Sequence, residues 1–104
     1  MRRKMISGYS AEVVSRYFNL KKKIFSLSSK LIPQYQWENQ KPTNTVVGYR
    51  AWFVQEGTEP FIVKFVKKVD LPKFMSAVEF TDLEGVEIGN RVYFRASDIK
   101  EAQK

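Results

Sequence analysis

The sequence predicts an α+β fold: one long amphipathic helix near the amino terminus, then a small curled, barrel-like antiparallel sheet of four to five strands. Two observations lead there. Apolar residues recur at helical spacing from about residue 10 to residue 31, and from Thr43 onward the pattern alternates with period two, rich in β-branched and aromatic residues. Pro33 and Pro42 stand between the two regimes. The 104 residues are of a size for one domain, divided as a basic leader (1–9), helix (10–31), loop (33–42), sheet (43–96) and tail (97–104).

Each element has its own signal. Val13, Tyr17, Leu20, Ile24, Leu27 and Leu31 are spaced by three or four residues, and Val14, Phe18, Phe25 and Ile32 widen the apolar face. Ser10 is the expected N-cap, and Pro33 ends the run. The same spacing fits a short coiled-coil seam, so a homodimer contact along part of this helix is expected. "PQYQWENQKPTN" has no periodicity and reads as a loop. "NTVVGYRAWFV" and "FIVKFVKKV" flank "QEGTEP", which predicts a hairpin closing around Gly57 with paired residue numbers summing to 114. "KFMSAVEFT" supplies a third strand. Gly89-Asn90 makes a tight reversal before a last strand over Arg91–Ala96, and Ser97 is placed to start a final helical turn.

The net charge of +7 is unevenly spread. Residues 1–73 hold 14 Lys/Arg against 5 Asp/Glu, residues 74–90 hold none against 4, and residues 91–104 hold 4 against 2. An excess localised in this way suits a polyanionic partner. Without cysteine or histidine the chain has no disulfide framework, zinc site or the usual nucleophile and acid–base pairs, so no catalytic, cofactor or metal residues are assigned and no enzyme activity is expected. Glu79, Asp82, Glu84 and Glu87 lack the spacing of a calcium loop. Polar residues 7–10 interrupt any apolar run after the basic leader, and nothing approaches a membrane span. The expected compartment is the cytoplasm.

In the assumed register Arg50 lies opposite Lys64 and Trp52 opposite Ile62, while the parity of "RVYFRA" turns Arg91, Tyr93 and Arg95 outward. Lys67 and Lys68 continue the basic character. Cations that follow phosphates, interleaved with rings that stack on unpaired bases, point to single-stranded DNA or RNA. The expected interface is therefore Arg50, Trp52, Lys64, Lys67, Lys68, Arg91, Tyr93 and Arg95. Arg16, Lys21, Lys22 and Lys23 form a second basic patch on the predicted helix. Two other readings compete with this one. The exposed rings and arginines suit an acidic protein partner, and the lysine-rich helix suits duplex DNA bound by a dimer.

Overall fold

Ser10 caps a helix, as its residue type suggests: its hydroxyl accepts from the Val13 N–H at 3.4 Å, opening α1 (Ala11–Tyr17). The computed structural model describes residues 8–102, and within them α1 is the one helix, seven residues long. The long helix over 10–31 is not formed. Phe18 is already extended, with φ −121° and ψ 146°, and its ring packs on Phe61 and Phe94 at centroid distances of 4.4 and 4.8 Å.

A buried glutamine explains the early stop. The Gln55 amide oxygen accepts from the Asn19 N–H at 3.0 Å, and its Nε2 donates to the carbonyls of Asn19 (2.7 Å) and Lys22 (3.1 Å). The Asn19 side chain also accepts from the Lys21 N–H. Backbone groups that a helix would pair internally are thus committed to a turn. Tyr17 and Leu20, two members of the apolar stripe, are exposed, so the coiled-coil seam has no helix to carry it.

The rest is mostly strand: β1 (Ile24–Ser26), β2 (Ile32–Glu38), β3 (Lys41–Gln55), β4 (Phe61–Phe65), β5 (Ala77–Thr81), β6 (Glu84–Ile88), β7 (Arg91–Ala96) and β8 (Asp98–Glu101). The expected antiparallel sheet of four to five strands is replaced by one mixed sheet of eight, ordered β6-β7-β4-β3-β1-β5-β8, with β2 added to β3. β4 and β7 pair in parallel. The expected loop over 33–42 is instead β2, a two-residue turn at Asn39-Gln40 and the start of β3. The helical turn expected at Ser97 is replaced by β8.

The hairpin register is the expected one. Tyr49, Arg50, Ala51, Trp52 and Phe53 pair with Phe65, Lys64, Val63, Ile62 and Phe61. Ala51, Phe53, Val63 and Phe65 are fully buried, and Phe94, Ala96, Val78 and Ile99 join the same core. The chain passes from β7 beside β4 to β8 beside β5 through Ser97 alone, so the sheet curls around this core. Phe80 of β5 packs on both Phe53 and Phe65, at 4.9 and 6.3 Å.

Beyond Gly48, toward its amino-terminal end, β3 pairs only with β2, and the two strands form a ribbon outside the core. Its register shifts on either side of Tyr35. Tyr35, Trp37, Val46 and Val47 are exposed along it.

Candidate functional site

The outward face of the sheet carries a row of side chains across five strands. Ile32 of β2 pairs with Arg50 of β3, Arg50 with Lys64 of β4, Lys64 with Arg95 of β7, and Arg95 with Glu84 of β6. Three cations therefore stand abreast. Arg95 is neutralised within the protein: its Nε and a terminal nitrogen each lie 3.1 Å from Glu84 Oε1, and its guanidinium sits 4.0 Å from the ring centroid of Tyr9. Arg50 and Lys64 have no ion pair among the described residues. Two like charges directly across a ladder disfavour each other, and an anion between them removes that repulsion.

In the next row, Trp52 pairs with Ile62, and Tyr93 pairs with Val86. The β4–β7 ladder covers only Val63–Phe65 against Phe94–Ala96. Before it, the two strands are unpaired with each other, and a concavity of about 630 Å³ opens there, within the usual size range of small-ligand sites. Phe61, Ile62 and Val92 line it, and Arg50, Trp52, Lys64 and Tyr93 bring the basic and aromatic face to it. Trp52 and Tyr93 are 40% and 41% exposed, so both rings present a free surface without leaving the fold.

Five further residues at this concavity carry polar groups that sequence reasoning did not assign to it: Tyr9, Tyr17, Gln34, Thr58 and Glu59. Gln34 lies opposite Gly48, and its amide oxygen is 3.8 Å from where a Gly48 Cβ would stand. Gln34 Oε1 and Arg50 Nε are buried with no hydrogen-bond partner among the described residues. A buried polar atom left in that state costs about 1–3 kcal/mol. Tyr17 donates to Glu87 Oε2 at 2.5 Å, and that hydrogen bond, with burial and the Glu87 charge adding to it, holds the phenol above the ordinary tyrosine range.

The remaining expected residues are elsewhere. Arg91 is exposed opposite Ile88 and does not line the concavity. Lys67 and Lys68 follow the end of β4, where Lys67 pairs with Asp98 at 3.7 Å and Lys68 is exposed. The second patch is dispersed: Arg16 is held by Glu12 and Glu87 at 3.2 and 2.7 Å, and Lys21, Lys22 and Lys23 lie after the helix. Among the described residues no lysine-rich helix is present to enter a duplex groove. Residues 1–7 of the basic leader fall outside the described residues.

The four acidic residues of segment 74–90 are engaged individually. Glu79 pairs with Lys100, Glu84 with Arg95 and Glu87 with Arg16, and Asp82 accepts from the Ser97 hydroxyl. Among the described residues no three potential metal ligands gather, and no helix is long and apolar enough to cross a membrane. No protein-family model matches the chain, and neither does any curated protein or solved structure.

Proposed function

We propose that the protein binds single-stranded DNA or RNA on the outward sheet face, with Arg50 and Lys64 neutralising phosphates and Trp52 and Tyr93 stacking on unpaired bases. The observation that carries this reading is the unpaired Arg50–Lys64 couple beside two half-exposed rings at one concavity. A duplex keeps its bases stacked on one another, whereas a single strand offers their faces to such rings. Arg95, already paired with Glu84, is left out of the phosphate contacts in this reading.

The test compares labelled single-stranded DNA, duplex DNA and RNA of equal length at low and physiological salt, with tryptophan fluorescence followed throughout. The expected result is single-strand preference that survives moderate salt and quenches fluorescence. Trp52→Ala and Tyr93→Ala each weaken binding by about 1–3 kcal/mol per stacked base, with the melting transition retained. Equal binding to all three that vanishes at physiological salt would refute the stacking site and direct the search to an acidic protein partner.

A further inference from the structure

We infer that a bound single strand continues from the concavity onto the β2–β3 ribbon, where Tyr35 and Trp37 stack on further unpaired bases. This rests on the single-strand reading and extends it to a path. Directly opposed residues share a face of a ladder, and on β3 the outward face is that of Arg50 and Trp52, whose neighbours Ala51 and Phe53 are buried. Ile32 and Gln34 pair with Arg50 and Gly48 on that face. Continued without a break, the ladder would set Tyr35 against Val47 and turn both Tyr35 and Trp37 to the other side. Instead the register skips Val47: Tyr35 pairs with Val46 and Trp37 with Pro42. One irregularity therefore brings both rings to the face of Arg50 and Trp52.

Both rings are open to solvent, Tyr35 at 43% and Trp37 at 66% exposure. At about 3.3 Å per residue along β3, Val46 lies about 20 Å and Pro42 about 33 Å from Trp52, which sets the two ribbon rings about 13 Å apart. Stacked bases repeat every 3.4 Å or so, hence each ring meets a different base of an opened strand. Between Leu31 and Gly48 the only charged residues are Glu38 and Lys41, which stand opposite one another. The ribbon therefore adds stacking without phosphate neutralisation, and its share of the affinity is insensitive to salt. Two-stranded ribbons twist strongly, so the row of rings winds as it leaves the sheet. A flexible single strand can follow such a row.

The experiment uses Trp52→Phe, which leaves Trp37 as the one tryptophan of the full chain, with labelled single strands of about 4 and about 16 nucleotides, the two ends of the usual range of site sizes. Anisotropy of the label reads binding, and tryptophan emission reads the ribbon. The bound long strand is expected to quench Trp37, and the bound short strand, held at the concavity, to leave it unchanged. In the otherwise native chain, Trp37→Ala is expected to weaken the long strand by about 5- to 150-fold, the equivalent of one stacked base. The slope of log affinity against log salt stays as it was, because no phosphate contact is lost. The emission readout keeps the Trp37 ring in place, so it decides the matter even where Trp37→Ala loosens the ribbon. Trp37 emission unaltered by the bound long strand would overturn the path and leave the single-strand reading at the concavity standing. Equal quenching by both lengths would overturn it by making the ribbon a separate site, and a Trp37 shift with protein concentration alone would do so by seating a second copy there. Absence of binding by either strand, to variant and native chain alike, would overturn both.

Discussion

Gln55 is the residue on which the amino-terminal segment turns. Its buried amide serves Asn19 and Lys22, so Gln55→Leu leaves three backbone groups without their partner. The expected loss is at least about 1–3 kcal/mol, the range for one unsatisfied buried group, read by denaturant unfolding. Gly85 makes a second sharp case. A Cβ there would come within 3.0 Å of both Phe94 and Val13 side chains, which are core and have little room to move. Gly85→Ala should therefore destabilise by about 1–3 kcal/mol in the same assay. Tyr17 supplies the pH dependence. Its folded pKa is raised, so the stability from its hydrogen bond to Glu87 is complete below the ordinary value of 10.0 and is lost as pH rises through the folded value. Alkaline titration by ultraviolet absorbance should show Tyr17 ionising late, and Glu87→Gln should bring it back toward the ordinary value.

At the scale of the element, the β2–β3 ribbon is governed by its turn. Asn39 and Gln40 have φ of 50° and 65°, both in the left-handed region, between the paired Glu38 and Lys41. Such two-residue turns favour Asn-Gly, so Gln40→Gly should tighten the ribbon by up to about 1 kcal/mol, visible as slower amide exchange along it. The contrast with the β3–β4 hairpin explains what could be read beforehand. There, strict alternation with Phe53, Ala51, Val63 and Phe65 on one face fixes the register, since a slip of one residue would expose them all. In the ribbon, neither face is buried and the register shifts twice, so Pro33 and Pro42 read as loop markers when they are strand residues. The helix failed for a different reason. Its apolar spacing was real, but the competing hydrogen bonds came from Gln55, 36 residues beyond Asn19, and no local pattern carries that.

For the whole molecule, the 18 Lys and Arg residues overstate the free positive surface, because Arg16, Lys22, Lys67, Arg95 and Lys100 are paired with carboxylates. That explains how far the site could be read from the sequence. That Arg50, Trp52, Lys64 and Tyr93 share the candidate face was legible from parity within their strands, whereas Glu84 and Tyr9, the partners of Arg95, come from other segments. Salt dependence should reflect the smaller number: Lys64→Gln is expected to lower the slope of log affinity against log salt by about 0.7, the value for one single-strand phosphate contact. The short link at Ser97 has a consequence for assembly. Residues 91–101 complete two separate borders, β7 along β4 and β8 along β5. A polypeptide cut before residue 91 would therefore leave both strand edges open to pairing with other chains. Synthesis must pass this segment before the protein is protected from its own aggregation.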